Sequence, residues 1–344
     1  MRAVRLHAPG EGLRVEEVPL PAPVGTEVRI AVAGCGVCHS DVHIVDGVQR
    51  RVRLPLTLGH EVAGHLDAVG PAAEPLLADL GLAIGDPVLV YGGWGCGACA
   101  VCRRGDEQLC PRSEAPGFQR DGGYAEAMLV PHPRQLVRLD RLDPVDAAPL
   151  ADAGVTSYRA VRRAEPWLVP GARVLVIGAG ALGQFAIQLL RAVPAAGGDL
   201  VIGVREVNEP RLARAQELGA NVTLLGGAPA QTHEQLGGPA DVVLDLVGSD
   251  ESLAHAAGSA ATGGIIVLVG EAGGTLPFGL ERLAPEVTLT SVAWGSPSDM
   301  RAVVDLAERG ALRWNVERMP LAQATEAHSR VRAGDVEGRI VLVP

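Results

Sequence analysis

Residues 173–183 read RVLVIGAGALG, and this segment indicates the fold class of the chain. A run of aliphatic residues leads into the glycine pattern Gly178-x-Gly180-x-x-Gly183, and apolar residues then recur at helical spacing. A strand, a glycine turn and an amphipathic helix in this order open a βαβ unit, in which a pyrophosphate can approach the N-terminus of the helix. The stretch therefore predicts a dinucleotide-binding site, and the simpler alternative is a tight turn without a ligand.

Short apolar runs repeat along the chain after residue 170 and are separated by helical stretches. Runs of this kind, rich in β-branched residues, are typical of strands buried on both faces of a parallel sheet. The predicted strands are Arg173–Ile177, Leu200–Val204, Val222–Leu225, Asp241–Val247, Ile265–Val269 and Val287–Val292. We therefore expect an α/β domain with a doubly wound parallel sheet.

The first part of the chain is instead rich in strands and loops. Val28–Val32 alternates in polarity, and Pro87–Val90 follows a glycine turn. The last part of the chain is mixed and ends in a predicted strand, Arg339–Val343. We expect three segments: a β-rich domain at 1–152, the parallel-sheet domain at 153–294, and a segment at 295–344 that returns to the first domain.

Composition and charge exclude several classes of function. The net charge is −10 and all 30 basic residues are arginine, so a nucleic-acid surface is disfavoured and lysine chemistry is excluded. No apolar run reaches the roughly 18 residues of a membrane span. The opening MRAVRLHAPG has no apolar signal region. We expect a cytoplasmic protein with a small-molecule partner and neither nucleic acid nor membrane as a partner.

Four of the six cysteines lie in one short segment, Cys96-x2-Cys99-x2-Cys102-x7-Cys110. Four thiolates at this spacing can enclose one Zn²⁺ tetrahedrally and leave no open position, which describes a structural site. Two disulfides are the alternative, but disulfides are rare in proteins that are not secreted. The segment predicts a structural zinc lobe at about 92–112.

A second group of metal-binding residue types occurs in CGVCHSDVH, residues 35–43, and GHEVAGH, residues 59–65. A catalytic zinc needs about three protein ligands and one open position. Ordinary polar loop residues and a redox pair of Cys35 with Cys38 are the alternatives. The candidate ligands are Cys38, His60 and either Glu61 or Asp152.

These segments occur in one order along essentially the whole chain, and together they resemble the zinc-dependent medium-chain alcohol dehydrogenases. The most similar members are the bacterial secondary-alcohol dehydrogenases. In that group an aspartate supplies the third zinc ligand, and Asp152 in PLADAGVTSYR matches it. Trp294 in VAWGS matches a residue that lines the substrate pocket. The resemblance implies a GroES-like β-rich catalytic domain plus a Rossmann domain.

The resemblance also implies roles around the catalytic zinc. The implied ligands are Cys38, His60 and Asp152, with Glu61 nearby as a transient ligand. Asp41 matches the carboxylate that orients His60. Ser40, which also faces the substrate, and His43 match the proton relay. Cys35 has no metal role in this pattern and is expected to pack in the core.

On the cofactor side, the resemblance places Arg339 near the cofactor phosphates and Arg211 near the adenosine ribose. It implies two zinc ions per chain, a nicotinamide cofactor and a homo-oligomer, either a dimer or a tetramer. The cofactor-binding residues that it implies are Thr156, Gly178, Gly180, Leu182, Gly183, Arg205, Glu206, Arg211, Val269 and Arg339.

The chain departs from the family pattern in three places. The acidic residue that usually ends the second strand is replaced by Arg205, which suits NADP, while the next residue, Glu206, suits NAD. We favour NAD slightly. A helix-like stretch, Ala73–Leu82, enlarges a loop, and Ala195–Asp199 lengthen the turn before the second strand.

The sequence therefore predicts a zinc-dependent dehydrogenase that transfers a hydride between an alcohol and NAD or NADP. Secondary alcohols are the favoured substrates because of Asp152 and Trp294. Primary alcohols or polyols are the alternatives within the family. A non-catalytic zinc-stabilised protein is the alternative from another class, but a scaffold has no use for a metal site with an open position.

Overall fold

The computed structural model describes residues 1–49, 51–192 and 199–344. The chain divides into two compact units. The first comprises Met1–Val155, Gly295–Arg309 and Asn315–Pro344, and the second comprises Thr156–Trp294 and Gly310–Trp314. Most of the lengthened turn expected at Ala195–Asp199 lies outside the described residues.

Sixteen strands are described, and many follow the apolar runs of the sequence. They are β1 Arg2–Leu6, β2 Arg14–Glu17, β3 Val28–Gly36, β4 Leu56–Thr57, β5 Glu61–Val69, β6 Pro87–Val90, β7 Ala127–Val130, β8 Leu136–Arg138, β9 Arg173–Ile177, β10 Val201–Glu206, β11 Val222–Leu225, β12 Ala240–Asp245, β13 Ala260–Leu268, β14 Thr288–Ser291, β15 Val316–Pro320 and β16 Arg339–Val343.

The described α-helices include the one expected in the enlarged loop, which is α2. They are α1 His39–Val45, α2 Glu74–Leu80, α3 Ala100–Arg103, α4 Pro144–Ala147, α5 Ala153–Ala164, α6 Ala181–Ala192, α7 Glu209–Glu217, α8 Pro229–Leu236, α9 Asp250–Ser259, α10 Pro297–Glu308 and α11 Ala324–Ala333. None of the helices in the described ranges has both the length and the apolar character needed to cross a bilayer.

The first unit is built on a seven-stranded sheet with the order β15-β16-β3-β5-β6-β8, to which β7 adds by pairing with β3. A smaller sheet has the order β2-β1-β4. From residue 28 to residue 33 of β3, buried and half-buried positions alternate, as expected for a strand with one face on the core, and the last three residues of β3 are all buried. The C-terminal strand β16 pairs with β3, so the end of the chain belongs to this sheet.

The second unit contains one parallel sheet with the order β11-β10-β9-β12-β13-β14. Numbered from β9, this is the order 3-2-1-4-5-6 of the doubly wound dinucleotide-binding fold. The central strands β9 and β12 are almost entirely buried, which explains their continuous apolar runs. The predicted fold class, a β-rich unit plus a doubly wound parallel sheet, is confirmed.

Candidate functional site

Strand register in the first unit brings distant residues to one place. Strand β16 pairs with β3 at Val341 and Gly36, and β3 pairs with β5 at Gly36 and Glu61. A Cβ atom at Gly36 would lie 1.9 Å from Glu61 Oε2. The glycine therefore leaves the space in which the Glu61 carboxylate lies, directly beside Cys38 and His60.

The three predicted ligands of the catalytic metal converge at this place. Cys38 caps the N-terminus of α1, His60 precedes β5, and Asp152 lies between a 3-10 helix and α5. Cys38 Sγ lies 3.4 Å and His60 Nε2 lies 3.7 Å from Asp152 Oδ2. Ligand atoms of these three residues and Glu61 all lie within 4.8 Å of one another.

This geometry fits a tetrahedral metal ion. With ligand bonds of about 2.0 to 2.3 Å, two ligand atoms of a tetrahedral zinc site are separated by roughly 3.4 Å. The two separations at Asp152 Oδ2 are close to that value. A thiolate, an imidazole and a carboxylate are all zinc ligands, and three of them leave one position for a substrate oxygen.

Asp41 contacts Nδ1 of His60, the ring nitrogen on the side away from the metal site. Its Oδ1 atom lies 3.4 Å from His60 Nδ1, and its Oδ2 atom accepts a hydrogen bond of 3.0 Å from the Cys38 backbone N–H. Burial raises the pKa of Asp41, but His60 and the backbone N–H outweigh burial and hold the pKa below its usual value. Asp41 therefore presents an acceptor to Nδ1 and leaves Nε2 to face the metal site.

Arg339 forms a buried ion pair with Glu61. Arg339 Nε donates to Glu61 Oε2 at 2.9 Å, and Arg339 Nη2 contacts Glu61 Oε1. The same guanidinium lies 3.6 Å from Asp152 Oδ2. Local sequence spacing gives no sign of this pair, because 278 positions separate its members and only the strand register brings them together. The expected role of Arg339 at the cofactor phosphates stays a prediction.

The two predicted relay residues lie on α1. Ser40 Oγ is 3.8 Å from Cys38 Sγ, and Ser40 is half-buried. His43 is one helical turn further along and is also half-buried. The structure thus places Ser40 next to a metal ligand and His43 on the same helix, and their proton relay stays a prediction.

The four-cysteine segment folds into a closed cluster. Cys99 Sγ lies 3.5 Å from Cys102 Sγ and 3.8 Å from Cys110 Sγ, and Cys96 Sγ lies 3.8 Å from Cys102 Sγ. Four sulfurs around one zinc at about 2.3 Å would be roughly 3.8 Å apart. All six cysteines, which belong to the described part of the chain, are free thiols, so the disulfide alternative is wrong. The residues fit a structural zinc ion.

The glycine turn of the second unit has the shape that a dinucleotide needs. Gly178 has a φ of +93°, and a Cβ atom at Gly183 would lie 2.1 Å from the Gly178 carbonyl oxygen. Only glycine fits these two positions. Nothing lies within 4 Å of a Cβ position at Gly180, so the turn is open there. Leu182 is the second residue of α6, and its carbonyl oxygen accepts a hydrogen bond from the Ser157 hydroxyl.

Glu206, rather than Arg205, faces the glycine turn. Its Oε2 atom accepts a hydrogen bond of 2.8 Å from the Ala179 backbone N–H, and Arg211 Nη1 lies 3.9 Å from the same oxygen. Arg205 is the preceding residue of β10, so its side chain leaves the strand on the opposite face and pairs with Glu251. The carboxylate therefore lies against the glycine turn, and its contact with a cofactor ribose stays a prediction.

The remaining predicted residues have the following places. Thr156 is buried in α5, and Val269 is buried directly after β13, where its N–H donates to the Asp245 carbonyl oxygen at 2.8 Å. Trp294 is half-buried and has a φ of +56°, a strained conformation for a residue with a Cβ atom. Their contacts with cofactor or substrate stay predictions.

Two family profiles match the chain. The alcohol dehydrogenase GroES-like domain matches residues 25–141, and the zinc-binding dehydrogenase domain matches residues 181–309. These ranges cover most of both units. They agree with the β-rich sheet of the first unit and the parallel sheet of the second.

Known proteins resemble the chain over its whole length. A NAD-dependent alcohol dehydrogenase of Sulfurisphaera tokodaii is 39% identical, with 100% of each chain covered. D-arabinose 1-dehydrogenase (NADP(+)) of Saccharolobus solfataricus is 36% identical, with 100% of this chain and 97% of the relative covered. The crystal structure of the alcohol dehydrogenase from Aeropyrum pernix is 34% identical, covers 100% of both chains and has a TM-score of 0.91. The chain therefore belongs to the zinc-containing medium-chain alcohol dehydrogenase family, and it is an enzyme of that family.

Proposed function

We propose that this enzyme interconverts a secondary alcohol and a ketone with NAD as the hydride carrier. The observation that carries the proposal is the set of Cys38, His60 and Asp152, whose ligand atoms converge with the spacing of a zinc site. Zinc bound there supplies Lewis-acid polarisation of the substrate oxygen. Three protein ligands leave the fourth position to the substrate.

The residues around the metal site have separate roles in orienting the metal ligands and in removing the proton of the alcohol. Asp41 holds His60 in the tautomer that presents Nε2 to the metal. Ser40, next to Cys38, receives the hydroxyl proton of the substrate and at the same time gives up its own hydroxyl proton along the relay towards His43. His43 takes up that proton and releases one to solvent, because an imidazole exchanges protons near neutral pH. The buried Arg339 offsets the negative charge that Cys38, Glu61 and Asp152 bring together.

Glu206 supports NAD over NADP. A carboxylate at the end of the second strand can accept hydrogen bonds from a ribose hydroxyl, whereas it repels the 2′-phosphate of NADP. Arg205, the residue that would favour NADP, is held by Glu251. Arg211 lies near Glu206 and is the second residue that we assign to the adenosine ribose.

Secondary alcohols are the favoured substrate class because Asp152 stands as the third ligand and Trp294 matches the pocket residue of that group. A polyol or sugar is the second candidate, since one relative of the chain is a D-arabinose 1-dehydrogenase. By resemblance we also propose a homo-oligomer, a dimer or tetramer. A cytoplasmic location fits the six free cysteine thiols.

A substrate panel tests the proposal. Purified enzyme is incubated with NAD or NADP and with 2-propanol, 1-phenylethanol, ethanol, D-arabinose or sorbitol, and absorbance of the reduced nicotinamide is followed. We expect the highest kcat/KM with NAD and a secondary alcohol. Faster turnover of D-arabinose or sorbitol would favour the second candidate, and faster turnover with NADP would contradict the role of Glu206.

A further inference from the structure

A buried carboxylate lies at the end of the strand next to the glycine turn. Asp245 is the last residue of β12, and it is paired in register with Ile177, the last residue of β9. Asp245 is completely buried. In a doubly wound sheet of this order the ligand crevice opens between these two strands, outside their carboxyl ends. Asp245 therefore lies at the strand ends that face the crevice for a dinucleotide.

The carboxylate of Asp245 holds the loop that follows its strand. Asp245 Oδ1 accepts hydrogen bonds from the backbone N–H groups of Val247 at 2.9 Å and Gly248 at 3.0 Å. Asp245 Oδ2 accepts a hydrogen bond of 2.9 Å from the Ser252 hydroxyl in the first turn of α9. No arginine pairs with this carboxylate in the described part of the chain, so these three donors are what offsets its burial.

The loop held in this way, which we call the β12 loop and which comprises residues 246–249, lies directly against the glycine turn. A Cβ atom at Gly178 would lie 2.9 Å from Val247 Cγ2, and one at Gly183 would lie 3.6 Å from Leu246 Cδ1. Val247 is 37% exposed, so it borders open space beside the turn. The β12 loop therefore forms one wall of the space that opens at the glycine turn.

The backbone of Asp245 holds a second loop, which follows β13. The Asp245 carbonyl oxygen accepts hydrogen bonds from Val269 N at 2.8 Å and Gly270 N at 3.1 Å. A Cβ atom at Gly248 would lie 2.1 Å from the Gly270 carbonyl oxygen, so the two loops are in contact. Val269 is one of the residues that the family resemblance assigns to the cofactor. Asp245 therefore connects the β12 loop with a segment that is expected to bind the cofactor.

We propose that Asp245 is a positioning residue of the cofactor site: its carboxylate holds the β12 loop against the glycine turn, so that the crevice has its shape before the dinucleotide binds. This inference rests on the proposed function, because it takes the glycine turn as the binding site of NAD. Asp245 does not touch the cofactor in this role. Without its carboxylate the N–H groups of Val247 and Gly248 lose their acceptor, and the β12 loop must become ordered when NAD binds, which lowers the affinity.

The test compares variants by their affinity for NADH and by the mobility of the β12 loop without cofactor. Asp245→Ala removes the acceptor, whereas Asp245→Asn keeps an amide oxygen for the two N–H groups and an N–H for Ser252 Oγ. Thr232→Val is the matched control, because Thr232 is equally buried in the second unit and its hydroxyl contacts His255 Nε2 at 2.9 Å instead. Fluorescence titration measures the dissociation constant of NADH, and mass spectrometry measures hydrogen exchange of the β12 loop.

We expect Asp245→Ala to raise the dissociation constant of NADH about tenfold, the size of change that loss of a buried hydrogen-bond acceptor produces. In the cofactor-free protein the β12 loop should exchange its amide hydrogens about tenfold faster than in wild type. Asp245→Asn should stay within about twofold of wild type in both readouts, because its amide oxygen replaces the lost acceptor. Thr232→Val should lower the melting temperature and leave both readouts unchanged.

A wild-type dissociation constant and wild-type exchange in Asp245→Ala would overturn the inference and leave the proposed function intact. Equal effects of Asp245→Ala and Thr232→Val would also overturn it, because they would show a general loss of stability. If Asp245→Ala does not fold, Ser252→Ala decides the matter: it removes one donor and should change both readouts in the same direction, and wild-type behaviour would overturn the inference. A wild-type protein that binds neither NADH nor NADPH would overturn the proposed function and the inference together.

Discussion

The guanidinium of Arg339 and the carboxylate of Glu61 form a buried two-point ion pair, with Arg339 Nε 2.9 Å from Glu61 Oε2. Burial raises the pKa of Glu61, and the positive charge of Arg339 opposes that rise. Because the carboxylate of Glu61 is paired with Arg339, the neighbouring residues Cys38, His60 and Asp152 remain available to bind a metal. Removing one member of a buried ion pair typically costs about 3 to 5 kcal/mol.

Gly36→Ala should break this pair without changing either charged residue. The new methyl group would occupy the position 1.9 Å from Glu61 Oε2 and force the carboxylate away from Arg339. We expect the free energy of unfolding to fall by about 3 kcal/mol and kcat to fall with it. Thermal unfolding and steady-state kinetics measure the two effects. Gly12→Ala is the control, because its Cβ position is open, and equal behaviour of both variants would contradict the prediction.

Cys99→Ser should remove the structural zinc and spare the catalytic one. Cys99 Sγ lies within 3.8 Å of two other sulfurs of the four-cysteine cluster. We expect the metal content to fall by about one ion per chain and the melting temperature to fall, because structural zinc contributes directly to folding. Cys35→Ser changes a buried thiol outside both metal clusters and should keep both ions. A Cys99→Ser variant that lost only kcat would show that the two zinc roles are reversed.

Glu206→Gln should weaken the preference for NAD. The substitution removes the negative charge that repels a 2′-phosphate and keeps an oxygen for the Ala179 N–H. We expect the ratio of kcat/KM for NAD to that for NADP to fall by about tenfold, equivalent to about 1.4 kcal/mol. Arg205→Gln is the control, and it should change the ratio much less because Arg205 pairs with Glu251. A larger effect of Arg205→Gln would place Arg205 at the ribose.

His255 should make the enzyme less stable in mild acid. Burial, with a contribution from Arg205, lowers the pKa of His255 to about 4, whereas an unfolded histidine titrates near 6.5. Between these values the unfolded chain binds a proton that the folded chain does not, so stability falls as the pH is lowered through this window. We expect the melting temperature of wild type to fall more steeply between pH 7 and 4.5 than that of His255→Gln. Parallel curves would contradict this assignment.

The strands and both metal clusters could be predicted because their signals are local. The parallel-sheet strands appear as continuous apolar runs, and β11 begins and ends at the predicted residues. The four cysteines lie within fifteen positions of one another and the three glycines of the turn within six, so both patterns can be recognised directly in the sequence. The helix-like stretch at Ala73–Leu82 contains α2, Glu74–Leu80.

Other features depend on register and side-chain direction, which local spacing does not encode. The pairing of Arg339 with Glu61 requires β16, β3 and β5 to lie side by side. The sequence does not decide whether Arg205 or Glu206 faces the glycine turn. Neighbouring residues of a strand point to opposite faces of the sheet, so the answer depends on the exact position of each residue in β10. The buried contact between the Tyr124 hydroxyl and His328 Nε2, at 3.2 Å, connects residues that lie 204 positions apart, and no local sequence pattern predicts it.

The assignment of the catalytic site is tested by comparing NAD reduction by wild type and by Cys38→Ser, with 1-phenylethanol as substrate and the zinc content of each protein determined in parallel. We expect wild type to bind two zinc ions per chain and to reduce NAD. Cys38→Ser should keep the fold and the structural zinc, lose the other ion and lose nearly all turnover. Full turnover by a folded Cys38→Ser variant would contradict the assignment of the catalytic site.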